Sequence, residues 1–543
     1  MLSLFKVPMN DKIEDFVIPV LKSGYITQGK KVEEFEHMLQ EYFNYPYILT
    51  LNSCTSGLTL ALRLCDNEFT SDGYEVNALM DGLDIHHKPK IPIERRNQVI
   101  TTALTCTATN WPILANDLDI VWADVDPQTC NINLNSVKDR LNERTRAIMV
   151  VHWGGYPVDL DYLSHILDEH EEVHGYRPYV IEDCAHALGS RYNNQYIGTH
   201  GNICVFSLQA IKHLTTGDGG LIFLPNRKMY DRAKLLRWFG IDRERRSKPG
   251  DFRLEHDIPE WGYKYHMNDI NASIGIGNLP LVKPNLERIQ QVVNRYEEEL
   301  SNLPNVKLIE RARNVDPSYW IYTIKVSDKS HFIEYMKYKN IMASQVHNRN
   351  DNHPCVAGFR RSLPLLDELE KYIVAIPAGW WLTDDDVNHV ISSIREWSIK
   401  APPFETKIER INKNHYSCGF LELLSQLNDY DYSMSYSDYC DIVKRIERQN
   451  ADVFVIMIGC TVVATAKALY ETKFGDSVCH IEDVVVHSKY RKMGLGKMIV
   501  THIIDKSDWC YKITLNAREE LDDFYQSCGL KLKDKQYVKY NHQ

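Results

Sequence analysis

The chain has 543 residues, of which 44% are apolar and 25% are charged, a composition typical of globular rather than disordered or fibrous proteins. At roughly 150 residues per domain, this length predicts three or four domains or two larger units. The net charge of −10 argues against nucleic acid or an anionic membrane as the main partner. No apolar run reaches the roughly 18 residues that a transmembrane helix needs.

The N-terminus and the cysteines suggest the compartment. Residues 1–6 are followed almost at once by the polar residues 10–12, so the N-terminus lacks the apolar core of a signal peptide. The thirteen cysteines are dispersed and include no CxxC pair, which favours reduced thiols over disulfides or a metal site. We therefore expect a cytoplasmic protein.

An early segment, residues 66–96, is predicted to be an inserted surface excursion. It contains the pair His86 and His87 in a polar, proline-containing stretch. No other ligand is spaced to join this pair, so we predict no metal site there.

Short apolar strands alternate with amphipathic helices from about residue 100 to 240. Residues 147–151 and 179–181 are predicted strands, and residues 160–171 and 228–238 have helical spacing. This alternation is typical of a parallel sheet covered by helices on both faces. Ligands of such sheets bind beyond the carboxyl ends of the strands, so polar residues that follow strands are the first site candidates.

A long helix over residues 281–303 is predicted to connect this unit to a smaller α+β unit at about 305–400, whose last helix is capped at Thr383. Residues 401–403 include two prolines and cannot continue that helix, because proline lacks the amide and clashes with the preceding turn. The predicted division is a domain over 1–400, with a large part at about 1–281 and a small part at about 282–400, and a second domain over 405–543.

The second domain has enough residues, roughly 140, for a core of its own. Its predicted elements are two helices, strands at 452–458, 461–470 and 478–486, a glycine-bearing helix start, a strand at 511–515 and a last helix.

Three segments of the first domain together supply the groups that one cofactor needs. Lys212 stands among hydroxyls and glycines after an apolar strand, and Asp183 ends another strand. Small hydroxyl residues at 52–57 precede a helical stretch, and a helix start offers free amides to a phosphate. Pyridoxal phosphate (PLP) requires a lysine for the Schiff base, a carboxylate at the pyridine nitrogen and a phosphate cup. Each signal alone is weak, since such a lysine is often a surface residue and such an aspartate often a helix cap, but together they predict a PLP enzyme.

These segments resemble the DegT/StrS family of PLP-dependent nucleotide-sugar aminotransferases over nearly all of residues 5–397. Four more segments resemble the family: 23–29, 32–36, 124–127 and 262–269. The resemblance implies a fold-type-I α/β aminotransferase, with a large α/β/α domain and a small α+β domain, that forms at least a homodimer with cofactor sites at the subunit interface. It also implies a nucleotide-linked keto sugar, often a 4-keto-6-deoxyhexose, as substrate and an amino acid, commonly glutamate, as amine donor. Some relatives are sugar dehydratases with histidine in place of the lysine, so Lys212 favours transamination.

The resemblance also implies roles for single residues. Lys212 would be the Schiff-base lysine, Asp183 the pyridine partner and His186 a neighbour of the ring hydroxyl. The cofactor phosphate would be held by Thr55, Ser56 and Ser207. We expect substrate contacts from Thr27, His347 and Arg349, with Arg349 pairing with the nucleotide diphosphate; a polar loop without a ligand is the alternative for 347–351.

Two positions depart from the family pattern. The family often has an aromatic residue that stacks on the cofactor ring where Cys106 stands, so stacking must be weaker here or come from another residue. Many members have Asn where this chain has Lys264, in a segment that usually reaches the neighbouring subunit's cofactor. Lys264 is therefore either a phosphate contact across a dimer interface or a surface lysine.

In the second domain, a helix start with two glycines at 490–497 follows the strand 480–487. Glycines there let amides approach a pyrophosphate, and Arg491 and Lys497 add positive charge. This region resembles the GNAT acetyltransferase superfamily, an α+β fold, and most of all the glucosamine-6-phosphate N-acetyltransferases. The resemblance covers about 405–543 and rests on the segments 480–486, 490–497, 510–513 and 523–529.

This second resemblance implies an acetyl-CoA site. The amides that would bind the CoA diphosphate belong to Met493, Gly494, Leu495, Gly496 and Lys497. The edge from Val484 to Val486 would pair with the pantetheine arm, and Tyr525 would protonate the leaving thiolate; a half-buried helix aromatic is the alternative for Tyr525. Glu482 and Asp483 would orient or deprotonate the sugar amine, and Asn516, where close relatives have an acidic residue, is an expected substrate contact.

Together the two resemblances predict a bifunctional enzyme of activated-sugar biosynthesis. The first domain would aminate a nucleotide-linked keto sugar, and the second would acetylate that amine, because the product of one reaction is the nucleophile of the other. One alternative is an acetyltransferase that acts on a separate amine such as a hexosamine phosphate. Another is a C-terminal module that binds acyl-CoA without turnover.

Overall fold

The computed structural model describes residues 1–65, 92–243, 258–309, 311–428 and 430–533. The chain splits into two compact units, Met1–Ala401 and Pro402–Gln543. The dividing point lies at the Ala401-Pro402-Pro403 stretch, directly after a long helix. Most of the predicted insertion, including His86 and His87, lies outside the described residues.

The first unit is built on a seven-stranded mixed sheet. The strands of this unit are β1 (Ile48–Leu51), β2 (Gln98–Thr102), β3 (Asp119–Ala123), β4 (Thr145–Val151), β5 (Tyr179–Asp183), β6 (Arg191–Tyr192), β7 (Gln195–Tyr196), β8 (Ile203–Ser207), β9 (Gly220–Phe223), β10 (Val306–Leu308), β11 (Val315–Asp316), β12 (Tyr322–Val326) and β13 (Ile373–Ile376). The large sheet has the order β1-β9-β8-β5-β4-β2-β3, in which β9 alone runs antiparallel to its neighbours. Two three-stranded sheets, β10-β12-β13 and β11-β6-β7, complete the unit.

Helices cover the sheets. They are α1 (Glu14–Ser23), α2 (Lys30–Phe43), α3 (Cys54–Leu64), α4 (Thr107–Ala115), α5 (Leu134–Lys138), α6 (Leu160–His174), α7 (Arg227–Leu236), α8 (Asp269–Asn278), α9 (Val282–Leu300), α10 (Lys329–Tyr338), α11 (Pro364–Leu369) and α12 (Asp384–Lys400). The long predicted helix is α9, and Thr383 caps α12 by accepting a hydrogen bond from the amide of Asp386 at 3.2 Å. None of the helices within the described ranges combines the length with the apolar character that a bilayer span requires.

Separate apolar clusters hold these layers. In one, Phe35 of α2 and Ile276 of α8 pack with residues of β1, β8 and β9. In another, Leu163 and Ile166 of α6 pack with residues of β2, β3 and β4. A third joins α9, α12, β12 and β13 into the smaller part of the unit. The large sheet is thereby held rigidly, and its carboxyl edge can position side chains.

The second unit is a five-stranded sheet with the order β14-β15-β16-β17-β18. Its elements are β14 (Thr406–Arg410), α13 (Phe420–Leu424), α14 (Tyr436–Arg448), β15 (Ala451–Ile458), β16 (Thr461–Lys473), β17 (Asp476–Val486), α15 (Leu495–Lys506), β18 (Lys512–Leu515) and α16 (Asp522–Ser527). Only β17 and β18 are parallel to each other, and their pairing ends at Ile481 and Leu515. Beyond that point β17 continues to Val486 against β16 alone, so the sheet opens between β17 and β18.

Candidate active sites

Lys212 and Asp183 lie at the same edge of the large sheet. Asp183 is the last residue of β5, opposite Val205 on the neighbouring strand β8, and Lys212 lies in the connection that leaves β8. Burial lowers the pKa of Lys212 to about 8, and the negative charge of Asp183 opposes that shift. The amine and the carboxylate therefore share one electrostatic environment, as a cofactor held between them requires.

Asp183 accepts hydrogen bonds from three donors, one of them the thiol of Cys54 at 4.0 Å, and is only 4% exposed. The hydroxyl of Thr109 donates to its Oδ2 at 2.7 Å, and the amide of Ala185 donates to its Oδ1 at 3.0 Å. Burial raises the pKa of this carboxyl group. A carboxylate fixed in this way can accept a further hydrogen bond from a protonated ring nitrogen.

His186 is buried beside Lys212. Its Nδ1 accepts a hydrogen bond from the amide of Gly154 at 3.3 Å, an arrangement that assigns the ring proton to Nε2. Its ring stacks on Trp320 with centroids 4.0 Å apart. Burial and the charge of Lys212 hold the pKa of His186 well below its ordinary value, so the ring is neutral and can donate one hydrogen bond.

The predicted phosphate cup is assembled around the start of α3. Ser53 caps this helix by accepting a hydrogen bond from the amide of Ser56 at 3.1 Å. Gly220 presses against the same turn, because an added Cβ would lie 2.6 Å from the carbonyl of Ser53. Since Gly220 pairs with Ser207 across β8 and β9, the structure brings Thr55, Ser56 and Ser207 together. A lysine, a buried carboxylate and this helix start fit the groups of PLP.

The segment with Lys264 lies against the entrance to this cup. The backbone amide of Asn52 donates to the carbonyl oxygen of Tyr265 at 2.7 Å, and its side-chain amide donates to the carbonyl oxygen of Lys264 at 3.2 Å. The side chain of Lys264 is exposed. Asp269 caps α2 by accepting from Gly29, and its own amide donates to Thr27. The exposed Thr27 is thus held next to the same segment.

The loop that carries His347 is fixed to the large sheet's carboxyl edge by hydrogen bonds of Asn350. The amide of Asn350 donates to Ala103 at 2.9 Å, and its side chain donates to the carbonyl oxygen of Thr105 at 3.1 Å. The ring of His347 lies parallel to that of His186 at 5.6 Å, and its buried Nε2 has no hydrogen-bond partner among the described residues. Val346 has a φ of +69°, which is unusual for a β-branched residue and typical of strained functional segments.

Arg349 is paired with carboxylates in the structure. Its guanidinium forms two bonds to Asp351, at 2.7 and 2.8 Å, and also contacts Asp367. Its side chain is only 10% exposed. Two carboxylates already neutralise this cation, which fits the alternative of a polar loop without a ligand, and pairing of Arg349 with a nucleotide diphosphate stays a prediction.

Two residues that contact this site, Trp320 and Thr109, were not predicted from the sequence. Trp320 lies 3.4 Å from the Nζ of Lys212, measured to the ring centroid, and Thr109 holds Asp183. Thr109 stands just after Cys106, at the start of the helix that follows β2, so its position after a strand was an available signal. No sequence signal marks Trp320, which precedes β12 in the smaller part of the unit.

The second unit has an open cleft of about 980 Å³ where β17 and β18 diverge. All but one of the predicted residues of the acetyl-CoA site line it: Glu482, Asp483, Val484, Val486, Arg491, Gly494, Leu495, Gly496, Lys497, Asn516 and Tyr525. Met493 is 61% exposed and is not among the lining residues. The volume is within the range of small-molecule sites.

The cleft is lined by the glycine-bearing start of α15 and by two carboxylates of β17. Gly494, with a φ of +81°, turns the chain into α15, and Arg491 donates to the carbonyl oxygen of Val486 at 3.2 Å. Asp483 is held at a φ of +52° by an irregularity of β17, and burial raises its pKa. Glu482 pairs with Lys467 at 3.2 Å. Burial also raises the pKa of Tyr525, which keeps its hydroxyl protonated.

Both units match known protein families. Residues 8–395 match the DegT/DnrJ/EryC1/StrS aminotransferase family, and residues 418–530 match the acetyltransferase (GNAT) family. The crystal structure of AtS13 from Actinomadura melliaura is 44% identical with a TM-score of 0.66, and the match covers 73% of this chain and 98% of that one. The sugar aminotransferase CalS13 from Micromonospora echinospora is 40% identical with a TM-score of 0.66, covering 73% and 100%.

A curated relative is similar in sequence. The UDP-4-amino-4,6-dideoxy-N-acetyl-beta-L-altrosamine transaminase of Campylobacter jejuni is 30% identical over 299 residues, which cover 54% of this chain and 69% of that protein. Aminotransferases of the first family use PLP, and GNAT enzymes use acetyl-CoA. The chain therefore belongs to the DegT/DnrJ/EryC1/StrS aminotransferase family and carries a GNAT acetyltransferase unit after it.

Proposed function

We propose that residues 1–401 transfer an amine to a nucleotide-linked 4-keto-6-deoxyhexose and that residues 402–543 acetylate the new amine with acetyl-CoA. The observation that carries this proposal is the convergence of Lys212, Asp183 and the α3 helix start at the carboxyl edge of one sheet. The C. jejuni relative, whose name is that of a UDP-amino-sugar transaminase, supports the substrate class. Glutamate is the proposed donor.

In the first unit, the chain's residues hold the cofactor and move protons. PLP, when bound, would supply the electron sink that makes the proton on the carbon next to the amine acidic. Lys212 carries that proton at Nζ, and its pKa of about 8 lets it exchange between ammonium and amine near neutral pH. Asp183 would hold the ring nitrogen of the cofactor, and the neutral His186 would donate toward its ring hydroxyl. The Nε2 of His347, which has no hydrogen-bond partner among the described residues, would form a hydrogen bond with a sugar hydroxyl.

The cup is proposed to be completed by a second copy of the chain. Lys264 has an exposed side chain on a backbone fixed at Asn52, which is the arrangement that a contact to another subunit's phosphate requires. A homodimer with cofactor sites at its interface would follow. Thr27, in the loop held by Asp269, would then contact the sugar near that interface.

In the second unit, the sugar amine attacks the thioester carbonyl, the carbon–sulfur bond breaks and the thiolate takes a proton from the hydroxyl of Tyr525. Asp483 takes the proton of the amine. We prefer Asp483 to Glu482 as base, because burial raises its pKa whereas Glu482 is paired with Lys467. The amides at the start of α15 hold the CoA diphosphate, and Asn516 lies in the cleft to contact the sugar.

Purified protein incubated with a nucleotide-linked 4-keto-6-deoxy sugar, glutamate and acetyl-CoA tests both steps. We expect an N-acetylated amino sugar, with one acetyl-CoA consumed per amine formed, by mass spectrometry. Amine without acetylation would leave the aminotransferase step alone. Consumption of acetyl-CoA only when a hexosamine phosphate is added would favour an acetyltransferase with a separate substrate, and CoA binding without turnover would favour a binding module.

A further inference from the structure

One aromatic side chain, Trp320, lies beside three residues of the candidate aminotransferase site. The Nζ of Lys212 lies 3.4 Å from its ring centroid. The ring of His186 stacks on it at 4.0 Å with an interplanar angle of 17°. The ring of His347 lies 6.1 Å away at 19°. Trp320 is thus the shared neighbour of the amine and both imidazoles.

Trp320 is itself held firmly. It is only 8% exposed, and its indole N–H donates to the carbonyl oxygen of Ile211, the residue before Lys212, at 2.9 Å. Phe5 stacks on its ring at 4.8 Å. Phe5 is anchored in turn, because Ser3 donates to its carbonyl oxygen and Leu2 forms a bridge with Ile341. A ring fixed on several sides can hold a flexible lysine in one place.

We propose that Trp320 is the positioning residue of Lys212. This inference rests on the proposed role of Lys212 in the aminotransferase reaction. An ammonium over an indole face is attracted by the ring quadrupole, and the attraction grows when water is excluded. Cys106 offers no ring at the position where an aromatic residue is expected, whereas Trp320 supplies a ring at the amine itself. Trp320 therefore restricts the ε-amine to the neighbourhood of Asp183 and His186 and favours its charged form.

The test uses the full-length apoprotein and measures the rate at which it captures added PLP, followed by the visible absorbance of the bound cofactor, as a function of pH. In W320L, the loss of the ring leaves the amine less ordered. We expect capture at high pH, where the amine is neutral in both proteins, to be about tenfold slower. The midpoint of the pH profile should fall below that of the unsubstituted protein, because the ammonium loses a favourable contact. W320F keeps an aromatic ring, so its rate of PLP capture should stay within about threefold of that of the unsubstituted protein.

One control and one replacement variant complete the test. W509L removes a half-exposed tryptophan of the second unit, which contacts Tyr470 at 5.1 Å, and should leave capture unchanged. If circular dichroism shows that W320L does not fold, F5L decides instead: a slower capture with a lower midpoint supports the role, and unchanged kinetics overturn it.

Comparing W320L with K212A separates the role of Trp320 from the role of Lys212. If W320L captures PLP at the unsubstituted rate with an unmoved midpoint while K212A captures none, Trp320 does not position the lysine, and the role of Lys212 stands. If K212A develops the same visible absorbance as the unsubstituted protein, the lysine assignment is wrong and the role of Trp320 falls with it.

Discussion

Lys212 is an amine whose charge state is set by two opposed effects. Burial disfavours the ammonium, and the carboxylate of Asp183 favours it; burial is the larger effect and brings the pKa to about 8. Near neutral pH the amine can therefore both give up and take back a proton, as a proton shuttle requires.

The substitution D183N should remove the smaller of these two effects, the attraction between the carboxylate and the ammonium. Removing the negative charge destabilises the ammonium, so the pKa of Lys212 should fall from about 8, by about one pH unit. The measurement is the pH profile of PLP capture by the apoprotein, whose midpoint should move to lower pH. A midpoint that stays in place or rises would show that Asp183 does not share the environment of Lys212.

At the scale of single elements, the start of α15 decides how closely a ligand can approach. Gly496 lies in the first turn, and an added Cβ there would be 3.1 Å from the ring of Phe524 and 3.5 Å from Val486. The absence of a side chain leaves the amides of this turn open to the cleft between β17 and β18. The space around Gly496 is not a property of α15 alone, because it is bounded by Phe524 of α16 and Val486 of β17.

The substitution G496V should block this approach. The branched side chain meets Phe524 and Val486, so we expect the dissociation constant for acetyl-CoA, measured by calorimetry, to rise at least about tenfold. Formation of the amino sugar should be unchanged. The control is G358V, at an exposed glycine of the first unit where an added Cβ would have no neighbour within 4 Å, and this variant should bind acetyl-CoA normally. Normal affinity in G496V would reject α15 as the diphosphate site.

At the scale of the whole molecule, the chain is two compact units that each have a sheet and a site of their own. Under the proposed function, linking them would raise the local concentration of the intermediate near the second site. The residues proposed for each step, however, all belong to one unit. Each activity should therefore be removable without the other.

Two point variants of the full chain test this independence. K212A should lose amine formation and still acetylate a supplied amino sugar, whereas Y525F should form the amine and acetylate it about a hundredfold more slowly. A mixture of the two variants should restore the acetylated product, because the intermediate can diffuse between molecules. If K212A lost acetylation while its fold and its acetyl-CoA affinity were intact, the two steps would be coupled and this expectation wrong.

The local sequence determined most of the elements. The predicted strands at 147–151 and 179–181 lie within β4 and β5, and the predicted helix at 281–303 is α9. The capping box at Thr383 and Asp386 forms as expected. These features depend on side-chain periodicity and on hydrogen bonds between residues a few positions apart, which a sequence shows directly. The motifs around Lys212 and Gly494 likewise indicated the two families, which the comparisons confirm.

The tertiary structure alone decided which distant side chains meet. Trp320 lies over the amine of Lys212, and its indole N–H donates to a carbonyl oxygen 109 residues earlier in the chain, while Arg349 pairs with Asp351 and Asp367. Such contacts depend on the path of the chain across many residues, and a polar or aromatic residue looks the same in sequence whether its partner is a neighbour or a substrate. The sequence by itself therefore determined the local elements and motifs. The contacts between residues far apart in the chain are determined only when the cores pack.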